Sequence, residues 1–274
     1  MGKSSEVAKR GVLYPDLLPT NFNRQGAEGP VSALVQWWWT SEWSLSPDEK
    51  SRQVLLPFPA SNLVVEGGER ARSHVRLHGP ATRSSVRELA GSGWAVAALL
   101  QPAAIPLFSS NPTNLRDNFV QLSAESLLDG VTLAMNSNES LRARAVLETW
   151  LEAKLPSVTS EGLLANQLAR LINEDSSITS VTDVAEKLSL SERSIHRLTQ
   201  TYVGLTPYAM ITRRRLQESA DRIRSHPDVT LTEIAYEFGF TDQAHFTKVF
   251  KEHLGQTPSE YRKSAALNVA QNSH

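Results

Sequence analysis

Between Val181 and Arg262 the chain writes one short helical pattern twice, and that repeat limits what this half can fold into. In the first copy Ala185, Leu188 and Leu190 lead to Ser191, then Ile195 and Leu198, then Gly204 and Pro207. In the second, Ala235, Phe238 and Phe240 lead to Asp242, then Phe246 and Val249, then Gly255 and Pro258. The copies are offset by 50 residues at the alanine (235 minus 185) and by 51 at the proline (258 minus 207), so one residue is added in the turn. Apolar residues three and four apart mark helices with one buried face. Ser180-Val181-Thr182-Asp183 and Thr230-Leu231-Thr232-Glu233 have the spacing of capping boxes, in which a hydroxyl takes an orphan amide and a carboxylate reaches back. Ser189-Leu190 and Gly239-Phe240-Thr241 end those helices, and Gly239 supplies a left-handed conformation at low cost. Ser191 and Asp242 cap the helices that follow, and Thr206-Pro207 opens a further one. Each copy therefore reads as helix, tight turn, helix.

Many helical hairpins bind nothing, so the polar positions decide the function. Arg193, His196 and Arg197 fall two, five and six residues after the first cap, opposite Ile195 and Leu198. The same offsets in the second copy give Ala244, Thr247 and Lys248, flanked by Gln243 and His245. Arginine pairs bidentately with guanine, glutamine with adenine, and alanine or threonine methyls pack on thymine. In two copies at matched positions this set favours double-stranded DNA as the partner over a merely solvated face. The second helix of such a unit lies in a major groove.

Residues from about 165 to 263 resemble the DNA-binding domain of the AraC/XylS family of transcription regulators. The motif is carried by Ile234-Ala235-Tyr236-Glu237-Phe238-Gly239-Phe240, Asp242-Gln243-Ala244-His245-Phe246, Phe250-Lys251, Gly255 and Thr257-Pro258-Ser259-Glu260-Tyr261-Arg262. The resemblance implies seven helices, with a linker helix over roughly Pro207 to Ser225 holding two helix-turn-helix units over successive major grooves. It carries the base-reading role onto Arg193, His196 and Arg197 in the first unit, and onto Gln243, Ala244, His245, Thr247 and Lys248 in the second.

Charge adds little to this. The chain holds 28 basic and 29 acidic residues, and residues 176–264 hold 12 Lys and Arg against 11 Asp and Glu. Because phosphate contacts dominate affinity, such a segment has to concentrate its cations. Arg213, Arg214 and Arg215 form the densest cluster, but they span more than half a helix circumference, so one is expected inside the domain, pairing with Glu218 or Glu233. Arg213, Arg214, Lys251 and Arg262 are the phosphate candidates.

Zero cysteines exclude a disulfide framework, a thiolate metal site and cysteine redox sensing, and argue against the alkyl-transfer DNA repair relatives that share this helical domain. No apolar run approaches a membrane span and no signal core opens the chain, so a cytoplasmic protein without membrane partners is expected.

The first half has another style. Val31 to Trp37, Arg52 to Leu56, Ser61 to Val65 and Trp94 to Leu100 are short apolar stretches between Pro, Gly and Ser clusters, which reads as strands of a small barrel or sandwich. From Leu115 the helical period returns through Leu122, Leu127, Leu128, Val131 and Leu133, then Leu141, Val146, Leu147, Trp150 and Leu151, which predicts a helical hairpin, with Leu155 to Val158 as linker. Leu56-Pro57, Asn62 to Gly68 and His78 to Arg83 resemble the divergent cupin-like module of a subset of these regulators. Leu100 to Phe108 stands where relatives carry a Phe-x-Pro-Gly-Gly-like segment, with alanines in place of the glycines. The resemblance implies effector binding or dimerisation.

The expected fold is α+β and multidomain. Residues 1–155 form a β-rich cupin-like barrel with a helical hairpin, 160–264 an all-α double helix-turn-helix domain, and 265–274 a disordered tail. Trp37, Trp39 and Trp94 are the effector-pocket candidates, against the simpler reading that such tryptophans fill a core. His74 and His78 stand some ~13 Å apart along a strand, which gives a metal nothing to converge on, so no metal, cofactor or catalytic residue is expected. The leading function is a sequence-specific transcription regulator that senses a small-molecule effector or forms a homodimer, and that meets RNA polymerase if it activates. The alternative is a constitutive DNA-binding protein whose front domain is only a protein-interaction module, and a metal-dependent cupin enzyme is a third class.

Overall fold

The computed structural model describes residues 20–55, 59–69 and 71–271. Its first half contains strands β1 (Thr20–Gly26), β2 (Val35–Ser44), β3 (Lys50–Leu55), β4 (Asn62–Gly68), β5 (Ala71–His78), β6 (Ser85–Ala90), β7 (Ser92–Leu100) and β8 (Phe119–Gln121). Six of them form one antiparallel sheet in the order β1-β2-β7-β4-β5-β8, while β3 and β6 pair only with each other. Among the described residues the six-stranded sheet stays open at β1 and β8, so the expected barrel is cupin-like only in outline.

The register decides which side chains meet. Trp38 lies opposite Ala98, Thr40 opposite Val96 and Glu42 opposite Trp94, so these residues share one face with Leu63 and Val65. Helices α1 (Glu125–Asn136) and α2 (Ser140–Glu152) cover that face with Leu127, Val131, Ala134, Ala143, Leu147 and Leu151 and complete the first core. They form the hairpin that the helical period predicts. Trp37, Trp39 and Trp43 point to the opposite face, where Val64, Ala95 and Ala97 make a small second cluster with Trp39 and Trp43. The Arg87 guanidinium of β6 lies over the Trp43 ring and pairs with Glu66 of β4 at 2.9 Å, which lays the β3–β6 pair against this side.

Two expectations about this half are corrected. Val31 to Ala33 belong to a 3-10 turn, Pro30–Ala33, because Pro30 fixes the first position of that turn; the strand starts at Val35. The chain from Leu115 is not yet helical. A 3-10 turn at Pro112–Leu115 and the edge strand β8 come before α1.

The second half holds seven helices among the described residues: α3 (Ser160–Glu174), α4 (Val181–Leu188), α5 (Glu192–Tyr202), α6 (Pro207–Ser225), α7 (Leu231–Glu237), α8 (Gln243–Leu254) and α9 (Pro258–Gln271). The caps sit where the sequence places them. Ser180 with Asp183 and Thr230 with Glu233 form complete capping boxes, while Ser191, Asp242 and Thr206 accept from amides in the first turns of α5, α8 and α6. Gly239 has φ +71, the left-handed turn expected of it, and in the first unit Ser189 takes that conformation at φ 53. The expected disordered tail is corrected as well. Helix α9 runs on through the alanine-rich stretch to Gln271, with Ala265 buried, and 272–274 lie outside the described residues.

His78 of β5 supplies a pH test of the sheet. Its ring packs against Phe119 of β8 with centroids 5.4 Å apart. Burial, then the charges of Arg76 and Arg87, then His74, lower its pKa to about 4. The unfolded chain takes up this proton near the ordinary value of about 6.5, so the folded state loses stability as pH falls from there to about 4. Thermal midpoints measured from pH 7 to pH 4 should fall less for His78→Gln than for the natural protein, and equal falls would show that His78 titrates as it does in the unfolded chain.

Candidate nucleic-acid interface

Helices α5 and α8 are the second helices of the two units. In each unit the first helix is tied to the start of the second by the same device. The Thr182 hydroxyl donates to Glu192 Oε1 at 2.7 Å, and the Thr232 hydroxyl donates to Gln243 Oε1 at 2.6 Å. Behind each second helix lies a separate core. Ile195 and Leu198 of α5 pack with Val184, Ala185 and the α3 side chains, while Phe246 and Phe250 of α8 pack with Ile234, Ala235, Phe240 and Tyr261. With those faces buried, Arg193, His196 and Arg197 of α5 and Gln243, Ala244 and Lys248 of α8 are exposed. Thr247 is half-buried, and so is His245, whose ring meets the Phe240 ring edge-on at 5.8 Å and whose Nδ1 is buried. His245 thus belongs partly to the core of its unit.

Helix α6 joins the two cores. Met210 and Ile211 enter the first, and Leu216, Ala220 and Ile223 enter the second. Between them Arg213, Arg214 and Arg215 are all buried, at 2%, 4% and 7% exposure. This corrects the assignment of Arg213 and Arg214 to phosphate. Three consecutive residues point about 100° apart on a helix, so the three guanidinium groups meet different surroundings. Arg214 pairs with Glu218 at 3.1 Å and donates to the Ile178 carbonyl just ahead of the first unit. Arg215 donates to the Phe238 carbonyl at the turn of the second unit and lies over the Phe240 ring at 4.2 Å. Arg213, lowered to about 10 by burial, feels the charges of Asp117 and Arg116 in the first half of the chain. Arg262, another phosphate candidate, is half-buried and donates to the Val229 carbonyl at 2.6 Å, the counterpart in the second unit of the Arg214 contact. Of the four candidates only Lys251 is exposed.

The two halves of the chain meet along a defined seam. Asn166 of α3 donates to the Ala33 carbonyl and accepts from the Ala103 amide, both at 2.8 Å. Arg116 donates to the Gly204 carbonyl at 2.8 Å. A Cβ at Gly204 would stand 2.4 Å from the Pro112 carbonyl oxygen, so this contact needs glycine for space as well as for its φ of +81. The Ser84 amide donates to the His253 carbonyl at the end of α8. A cleft of about 230 Å³ opens along this seam, lined among others by Trp37, Gln101, Arg170, Asn173 and Tyr202.

The three tryptophans proposed for a pocket do not converge. Trp94 is buried in the core beneath α1 and α2. Trp39 lies on the other face, stacked on Phe22 and donating to Asn62 at 3.0 Å. Trp37 alone reaches the cleft, with Arg24 4.6 Å above its ring. Sequence reasoning missed Asn166, Arg116 and Tyr202, since nothing local marks a residue whose partner lies across a domain boundary. No group of three or more candidate metal ligands occurs among the described residues, and no described helix is long and apolar enough to cross a membrane.

Two matched helix-turn-helix units on one shared helix define the class, a bipartite helix-turn-helix protein. Residues 184–264 match a family described as a helix-turn-helix domain, and residues 27–121 match a domain of unknown function, DUF6597. The HTH-type transcriptional activator RhaS of Salmonella arizonae is 40% identical over 80 residues, which are 29% of this chain and 28% of that protein. The chain thus spans about 28% of the length of the curated relatives it matches. Among solved structures, a probable AraC family transcriptional regulator from Rhodopseudomonas palustris is similar at 24% identity, covering 37% of this chain and 95% of that one with a TM-score of 0.34. ToxT from Vibrio cholerae is similar at 13% identity over 89% of this chain and 96% of that one, with a TM-score of 0.39. The likeness to a helix-turn-helix domain thus covers the C-terminal part of the chain, residues 184–264.

The buried arginines separate framework from interface. Arg214→Ala removes the donor to the Ile178 carbonyl and the charge that pairs with Glu218, and should lower the unfolding free energy by about 1–3 kcal/mol in urea titrations. The slope of log affinity against log salt should not change, because a buried guanidinium releases no counterion from DNA; a slope reduced by about one unit would return Arg214 to the phosphate contacts.

Proposed function

We propose that the chain is a sequence-specific transcription regulator that sets α5 and α8 into successive major grooves of one duplex. The observation that carries this reading is the matched pair of exposed polar sets, Arg193, His196 and Arg197 on α5 and Gln243, Ala244 and Lys248 on α8, each backed by its own core and both held by α6. Thr247 joins the second set at its edge, His245 contributes what its half-buried ring leaves outside, and Lys251 takes a phosphate. Successive grooves on one face lie roughly 34 Å apart, so a short rigid α6 favours a bent or locally adjusted site.

In the same reading residues 1–155 are the regulatory domain and 160–264 the DNA-binding domain. The regulatory domain senses a small-molecule effector in the seam cleft beside Trp37, Gln101 and Tyr202, or joins two copies of the chain. The protein acts in the cytoplasm, on double-stranded DNA, and meets RNA polymerase where it activates. A ligand that changes DNA affinity separates this reading from a constitutive DNA-binding protein, because a ligand bound equally by both states shifts neither.

Selection from a random DNA pool with the full chain tests the proposal. One bipartite motif is expected, its halves about one helical turn apart. On that motif Arg197→Ala should relax preference at one position and cost about 1–3 kcal/mol. Equal weakening on every sequence would make Arg197 a phosphate contact, and a folded protein that enriches no motif would overturn the reading.

A further inference from the structure

Arg197 does not stand alone on the exposed face of α5. Its Nη1 is ion-paired with Glu161 Oε1, on the first turn of α3. The other oxygen of that carboxylate accepts from the Tyr202 hydroxyl at 3.3 Å, and the same hydroxyl lies 3.3 Å from Oγ1 of Thr159, the cap of α3. Tyr202 is the last residue of α5, so the carboxylate ties Arg197 toward the C-terminal end of its helix. Helix-turn-helix proteins contact base edges mainly with the N-terminal residues of the second helix. A guanidinium drawn toward Tyr202 is drawn away from the end that enters the groove.

Helix α3, which carries Glu161, is fixed from the other side. Five residues further on, Asn166 makes its two hydrogen bonds to Ala33 and Ala103, both in the first half of the chain. Gly162, beside Glu161, lies so close to Ala103 that an added Cβ would stand 3.1 Å from the alanine methyl. The position of the carboxylate is therefore set by the core that α3 shares with α5 and, at its first turn, by docking on the 3-10 turn Pro102–Leu107.

We propose that Glu161 is a specificity-determining residue that holds Arg197 out of the groove, and that Asn166 makes this hold depend on the N-terminal domain. The inference rests on the reading of Arg197 as a base contact. The pair is on the surface, with side chains 60% and 39% exposed, so it biases the first reading head without locking it. Displacement of the first turn of α3, by a ligand in the adjoining cleft or by a second protein, frees Arg197. The first unit then gains discrimination at the base pair that Arg197 reads.

The test uses the full chain on its selected site and on that site changed at the Arg197 base pair. Glu161→Gln should bind the selected site about two- to fivefold more tightly, the range that loss of an exposed pair allows, and should discriminate more sharply at that base pair. The gain should vanish in the Arg197→Ala background. A gain that persists there would come from general loss of negative charge, and weaker binding by Glu161→Gln would mean that the carboxylate steadies Arg197 for the base; either result overturns the proposal. Asn166→Ala and Asn166→Leu, which keeps the volume but removes both hydrogen bonds, should each reproduce the gain in folded protein. Natural affinity in a folded form of either variant would overturn the link to the N-terminal domain. If the natural protein selects no motif while folded, the reading of the chain as a sequence-specific regulator falls, and this inference with it.

Discussion

Two neighbouring buried arginines on α6, Arg214 and Arg215, set the geometry on which both helix-turn-helix units depend. A charged side chain inside a protein is costly unless its donors find partners, so these two guanidinium groups dictate what must stand opposite them. Arg214 fixes the Ile178 carbonyl ahead of the first unit, and Arg215 fixes the Phe238 carbonyl and the Phe240 ring in the second. Because the two are neighbours on one helix, the units cannot rotate independently about α6 without stripping one arginine of its partners. The apolar residues of α6 enforce the same constraint, with Ile211 in one core and Leu216 in the other.

Rigid spacing of this kind makes the domain responsive to what is docked against it. The N-terminal half touches the first unit through Asn166 and Gly204, and the second through the His253 carbonyl. It therefore braces both units at once, through a seam that combines the hydrogen bonds of Asn166, Arg116 and Ser84 with the close packing of Gly162 on Ala103. A seam built from individually modest bonds, and partly open as a cleft, is a place where a small differential binding energy shifts the domain arrangement.

The helical half was legible because its signals are local. Capping boxes at Ser180 and Thr230, the left-handed turn at Gly239 and the proline after Thr206 are each specified within four residues, and the structure places all of them as read. What failed there was the fate of the charges. Arg213, Arg214 and Arg262 look like phosphate contacts in a sequence, and only the tertiary position of the Ile178 and Val229 carbonyls shows that their donors are used inside. The sheet was read less well for the same reason. Strand β7 announces itself by its apolar run, but β1 and β5 carry Asn23, Arg24, His74 and Arg76 on faces that only pairing defines. The tryptophan run shows the limit clearly. Alternation sends Trp37 and Trp39 to one side and Trp38 to the other, but it does not tell that Trp94, two strand positions before Val96, lies on the face of Trp38.

Hydroxyl-radical footprinting of the full chain on its selected site tests most directly whether one rigid α6 presents both units to a single face of DNA. Two protected patches are expected on the same face, with centres separated by about one helical turn, roughly 34 Å. A single protected patch, or patches on opposite faces of the duplex, would contradict the fixed arrangement that the buried arginines impose.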